Sequence, residues 1–179
     1  SGPSSMTTST GPMTSAVGTP SMTVPSATPF VSRHYGNAVT SEEWTGTDAT
    51  TAWDGTGLPG HDDPAVDMLK DLEAHTAFAF GERTEESLQK FVTAFRRTNA
   101  TVHAGCPVKP EKTGPITIGN EPAILDQMHC PPSGGPFVLT AYVVHAGRAY
   151  VFFTLAVALS EAATRSWFSS LLKDISFEV

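Results

Sequence analysis

Charge is scarce in this sequence, and basic charge is scarcer still. Of its 179 residues only 16% are charged, with 11 Lys and Arg set against 18 Asp and Glu, for a formal net charge of −7. A nucleic-acid backbone is held by clustered Lys and Arg. The only adjacent basic pair is Arg96-Arg97, and it falls at the expected end of a helix, where the helix dipole accounts for it without a ligand. Nucleic acid is therefore excluded as a partner. Long apolar runs are also missing. The longest, Ala149–Leu159, is too short to span a bilayer as a helix. Cysteine is reduced to two residues, Cys106 and Cys130, in a polar, Thr-rich chain. That usage fits an oxidising compartment and a single structural cystine.

Signs of catalysis are equally thin. Gly55, Gly57 and Gly60 are read as turn glycines and not as a phosphate-cradling loop, and no serine nucleophile is expected. Ser133-Gly134-Gly135 follows Pro131-Pro132 and reads as a loop. Cys130 is the one thiol with a neighbouring base, His129. Sequence neighbours on a strand point to opposite faces, so a Cys106–Cys130 disulfide is the better reading. His61, Asp62, Asp63 and Asp67 make the densest group of candidate metal ligands. Their spacing matches neither a calcium loop nor a zinc helix, which favours a solvated acidic turn. The remaining histidines are scattered. The Asn99-Ala100-Thr101 sequon carries little weight in a bacterial-looking chain. No enzyme, metal or cofactor is expected.

What the chain does contain is strand pattern, concentrated between Pro115 and Leu155. Phe137–Val144 is apolar on both alternating faces, which predicts a central strand covered on both sides. A three-residue turn through His145, Ala146 and Gly147 leads into Arg148–Leu155, and Gly119-Asn120 turns Ile116–Ile118 back into Ala123–Met128. Residues 1–29 are almost wholly Ser, Thr, Pro, Gly, Ala and Met without a charge. Such a segment cannot offset its ordering entropy and reads as a disordered linker. From Phe30 onward the expectation is one globular domain, 30–179. Short strands are expected at Phe30–Arg33 and Ala38–Thr40, with a turn at Tyr35-Gly36 between them. Trp44 and Trp53 bracket a Thr/Gly-rich loop that runs on to Asp67. Further strands are expected at Val66–Leu69, where a helical turn is the alternative, and at Thr76–Phe80.

A helix is expected over Glu85–Arg97, capped by Thr84 and burying Leu88, Phe91, Val92 and Phe95 on one stripe. A second begins after Ser160 and buries Trp167, Phe168, Leu171 and Leu172, and Ile175-Ser176-Phe177 closes the chain as a strand. The fold class is α+β: a mainly antiparallel sheet flanked by two main helices.

Several of these pieces resemble the PsbP-like family, whose fold is an α/β/α sandwich. They are Phe30-Val31-Ser32, Tyr35-Gly36, Val39 and Trp44 near the start, Gly147-Arg148-Ala149-Tyr150-Val151 in the strand run, and Trp167, Leu171-Leu172, Ile175 and Phe177 at the end. The chain is similar to actinobacterial secreted or lipid-anchored proteins of unknown function, LpqN-type lipoproteins among them, in which a Thr/Ser/Pro linker precedes the domain. Ser41-Glu42-Glu43 stands where the family often has a Pro-Ala-Gly-like turn. The fold hosts unrelated functions, so the resemblance transfers no functional residue.

These readings imply a non-catalytic, extracytoplasmic binding or accessory domain, expected to be a monomer and tethered by its N-terminal linker. Starting at Ser1-Gly2-Pro3, the chain reads as a processed product, compatible with a lipid anchor upstream of Ser1. Its partner would be an envelope protein or a small ligand. The expected binding face is the loop from Trp44 to Asp67, with Trp44, Trp53, His61, Asp62 and Asp63 as its contact residues. A small-ligand or metal carrier using Trp53–Asp67 is the first alternative, and an enzyme with an unrecognised site is the second.

Overall fold

The computed structural model describes residues 36–37, 44–47, 67–71, 75–103, 105–156 and 160–177. The expected linker 1–29, the expected strands Phe30–Arg33 and Ala38–Thr40, and most of the Trp44–Asp67 loop lie outside the described residues.

Four strands, a helix, four strands, a helix and a last strand follow one another, as the sequence pattern predicts. They are β1 (Gly36–Asn37), β2 (Trp44–Thr47), β3 (Asp67–Asp71), β4 (Thr76–Arg83), α1 (Leu88–Val102), β5 (Lys112–Ile118), β6 (Glu121–His129), β7 (Phe137–His145), β8 (Arg148–Ala156), α2 (Glu161–Lys173) and β9 (Ile175–Ser176). Seven of the strands form one antiparallel sheet in the order β2-β3-β4-β8-β7-β6-β5, while β1 pairs with β9 in a separate two-stranded ribbon. The link from β4 through α1 carries the chain across one face of the sheet to its far edge at β5. The chain then returns strand by strand until β8 pairs with β4.

The register explains why the sheet needs two helices. On β7, Phe137, Leu139, Ala141 and Val143 face one side and join a core with Phe152, Phe168, Leu171 and Leu172, the last three of these α2 residues. Tyr142 faces the other side and packs with Val151 and with Phe91 and Val92 of α1. A strand apolar on both faces must be covered twice, and β7, between β6 and β8, is buried along most of its length. Ser160 caps α2 as its sequence predicts, its hydroxyl accepting from the Ala163 N–H at 3.2 Å.

Several local expectations change. Gly36 lies in β1 and not in a turn, because the last strand of the chain supplies it with a partner at Ser176. Trp44 begins a strand paired with Asp71, so it stands on the sheet edge and is not a loop residue. The described part of the Val66–Leu69 segment, from Asp67 on, belongs to strand β3 and not to a helical turn. The turn before β8 has two residues, since His145 pairs directly with Arg148, and both Ala146 (φ 48°) and Gly147 (φ 74°) are left-handed. That is the combination a tight antiparallel hairpin selects.

Helix α1 starts later and runs further than its pattern suggests. Strand β4 continues to Arg83 because it has β8 to pair with as far as Arg148. Thr84 caps no helix; its hydroxyl takes the Glu86 N–H at 3.1 Å, and Ser87 becomes the N-cap residue. Beyond Arg97 the helix gains a further turn, along which Thr98 and Thr101 donate back to the carbonyls of Ala94 and Arg97.

Cys106 and Cys130 are joined, their Cα atoms 4.5 Å apart. The bond ties the segment after α1 to the end of β6. With a separation of 24 residues, the chain-entropy model puts its contribution at about 3.5 kcal/mol.

Candidate functional site

Helix α2 presents one continuous stripe toward the β5–β6–β7 side of the sheet. Arg165, Phe168, Ser169, Leu172 and Lys173 recur at i, i+3, i+4, i+7 and i+8, the spacing of one helix face. Beneath them, Ile116, Leu125, Gln127 and Leu139 come from three neighbouring strands. Ile116 pairs with Ala123, Gln127 pairs with Leu139, and Leu125 sits one step between on the same face. Helix and strands do not close fully, and the space left is a groove of about 360 Å³ lined by these residues and Thr117.

The groove has an apolar floor and a polar rim. Leu139, Phe168 and Leu172 are buried, and Ile116 and Leu125 are half-buried. Arg165, Ser169, Lys173 and Thr117 are exposed, so the groove opens to water along the helix. The two cations stand eight residues apart, about 12 Å along the helix axis. Beside the groove, Gly114 is on the same sheet face as Leu125, and a Cβ there would meet nothing within 4 Å. Strand β5 is the terminal strand of the sheet, so the edge is open at that point.

A polar network closes the end of the groove near the α2 N-terminus. The Arg165 Nη2 donates to Glu161 Oε2 at 2.7 Å and Nε donates to Gln127 Oε1 at 3.0 Å. Its guanidinium carbon lies 4.5 Å over the Phe137 ring. Glu161 Oε1 is also 3.0 Å from His129 Nε2, and His129 Nδ1 is 3.1 Å from both carboxylate oxygens of Glu111. Hydrogen bonding to Glu111, and then to Glu161, raises the His129 pKa above its ordinary value. The Glu161 pKa is lowered, first by Arg165 and then by His129, and the Glu111 pKa is lowered by the backbone N–H and then the ring of His129. The imidazole thus bridges two carboxylates from different elements, one just before β5 and one on α2.

The opposite face holds a second charged group with a structural role. Asp126 is fully buried, with Thr113 and Thr140 paired to it on the neighbouring strands. Arg96 meets it with two donors, Nε to Oδ2 at 2.8 Å and Nη2 to Oδ1 at 2.7 Å. Burial and the Asp126 charge push the Tyr142 hydroxyl pKa strongly upward, which keeps the phenol protonated beside the pair. This corrects the reading of Arg96 as a helix-end cation. It lies inside α1, and its partner is 30 residues away.

Of the expected contact residues, Trp53, His61, Asp62 and Asp63 lie outside the described residues, and Trp44 is described only as part of β2. Asp67 is buried at the start of β3. Among the described residues no group of three His, Cys, Asp or Glu side chains is placed to hold a metal ion. Two linear motif spacings are present by count. Gly55, Gly57 and Gly60 do have the G-x-G-x-x-G spacing, but that loop works between a parallel strand and its crossover helix. Every described strand pair here is antiparallel. Ser-x-x-Lys occurs at Ser87…Lys90 and Ser170…Lys173. All four residues are exposed, and the Ser170 hydroxyl donates to the Ser166 carbonyl at 3.1 Å.

The groove itself went unread in the sequence. Its one linear signal is the pair Arg165 and Lys173, flanking the apolar stripe of α2 on the same side as Phe168 and Leu172.

Neither a protein-family model nor a curated protein matches the sequence. Among solved structures, the chain is similar to the solution structure of cyanobacterial PsbP (CyanoP) from Synechocystis sp. PCC 6803. The identity is 10% and the TM-score 0.54, over 80% of this chain and 86% of that one. At that identity the likeness is one of fold. The antiparallel sheet with its two covering helices is a PsbP-like α+β fold.

Proposed function

We propose that this chain is a non-catalytic, extracytoplasmic binding domain of the cell envelope that captures its target in the groove between α2 and the β5–β6–β7 face. The Ser/Thr/Pro/Gly-rich segment 1–29 serves as its tether, and the domain comprises residues 30–179. The actinobacterial secreted and lipoprotein branch of the PsbP-like fold is the best-fitting origin. The groove carries the reading: an apolar floor with a few convergent polar groups is the usual form of a small-molecule site. The Cys106–Cys130 bond supports the compartment, since structural disulfides persist where the environment is oxidising. A PsbP-like fold by itself argues for no particular activity.

The test uses native mass spectrometry of the protein recovered from an extracytoplasmic fraction. Ser169 is exposed on the groove rim, so Ser169→Trp roofs the groove without entering the core. The wild-type protein carries a bound species that the variant lacks, at an unchanged melting temperature. Identical spectra from the two proteins contradict the proposal.

A second reading keeps the segment between β2 and β3 as the binding face. These two strands are antiparallel neighbours at the sheet edge, and the residues that join them in sequence include Trp53, His61, Asp62 and Asp63. Replacing Trp53 and Asp63 together would then abolish capture that Ser169→Trp leaves intact.

A further inference from the structure

We propose that the α2 groove takes an anionic amphiphile, a single apolar chain ending in a carboxylate or phosphate, with the head at Lys173 and the chain along Ile116, Leu125, Leu139, Phe168 and Leu172. This rests on the groove being the binding site.

Size excludes a folded partner from the groove. About 360 Å³ lies near the lower end of the range for small-molecule pockets, roughly 300–1,000 Å³. An added β-strand is disfavoured at the neighbouring edge, because Pro115 interrupts β5 and offers no N–H. The uncharged segment 1–29 would leave the cationic rim uncompensated. An occupant must therefore be slender and apolar over most of its length, and carry negative charge at one end.

The two rim cations differ, and the difference decides where the head sits. Arg165 is already compensated by Glu161 at 2.7 Å and committed to Gln127 and the Phe137 face. Lys173 has no ion pair with a described carboxylate. Its position in the last turn of α2 suits the helix dipole, yet it also lines the groove. A flexible ammonium at the mouth of an apolar trough binds an anionic head as a point charge and leaves the geometry of that head unspecified. Carboxylate and phosphate heads are both accepted for that reason.

Calorimetric titration of the full chain, below the micelle concentration of each probe, tests this. Dodecanoate and dodecyl phosphate bind one to one, neutral dodecyl glucoside binds about tenfold more weakly, and acetate and inorganic phosphate give no heat. Lys173→Gln weakens dodecanoate about tenfold and leaves the glucoside unchanged, while Lys173→Arg retains dodecanoate affinity. The proposal is overturned if the glucoside matches dodecanoate, if inorganic phosphate matches dodecyl phosphate, or if Lys173→Gln has no effect. If Ser169→Trp binds dodecanoate as tightly as wild type, the groove is not the site, and the reading beneath the proposal fails with it.

Discussion

Two side-chain clusters show how much of this protein depends on contacts between residues far apart in sequence. Asp126 is buried and ionic, and removing one member of such a pair leaves the other charge in a poor solvent. Asp126→Asn is expected to cost about 3 kcal/mol in chemical denaturation. Arg96→Met combined with Asp126→Leu should cost clearly less than the sum of the two single changes. Additive losses would show that the two side chains do not act as a pair. His129 tests the second cluster by pH. Its raised pKa means that its contribution is whole below its ordinary value of 6.5 and fades as pH climbs through the folded value. Glu111 and Glu161 have lowered pKa values, so their contributions are whole above 4.5 and fade as pH falls through the folded values. All three coexist between 4.5 and 6.5. The melting temperature of the wild type should therefore fall more from pH 5.5 to pH 8.5 than that of His129→Gln. Equal falls would mean that the imidazole is uncoupled from Glu111, Glu161 and Arg165. Neither cluster was legible in the sequence. Arg96 looked like a dipole partner because its carboxylate lies 30 positions downstream, and His129 looked isolated because Glu111 and Glu161 belong to other elements.

At the scale of the element, periodicity served well wherever a segment packs on itself or its chain neighbour. The β5–β6 and β7–β8 hairpins and the buried stripe of α1 follow from local pattern, with Phe91 and Val92 buried and Leu88 and Phe95 packed beside them. Errors arose where a distant partner sets the boundary. Gly36 is extended because β9 pairs with it, and β4 outruns its apolar core because β8 continues alongside. The turn between β5 and β6 connects both kinds of information. Gly119 (φ 56°) and Asn120 (φ 68°) are left-handed, as a tight hairpin requires, and a Cβ on Gly119 would come within 2.6 Å of the Phe177 ring. Gly119→Ala thus combines backbone strain with a clash against the end of the chain, and is expected to cost about 1–3 kcal/mol in thermal or chemical unfolding. A variant as stable as wild type would show that Phe177 moves aside freely and that the hairpin does not need glycine.

For the whole molecule, the sandwich was legible and its groove was not. Two apolar helix stripes and a strand apolar on both faces imply two cores on either side of one sheet, and those are the two clusters observed. The gap between α2 and the β5 edge depends on how the helix crosses the sheet, which no local pattern encodes. The central claim is that the α2 side is the binding face. Site-specific photocrosslinking compares it with the opposite face, using a photoreactive amino acid in place of Ser169 on α2 or of the equally exposed Thr93 on α1. After irradiation in intact envelope, the protein labelled at position 169 is expected to gain a crosslinked adduct and the protein labelled at position 93 to gain none. Adducts at position 93 alone, or at neither position, would contradict the account.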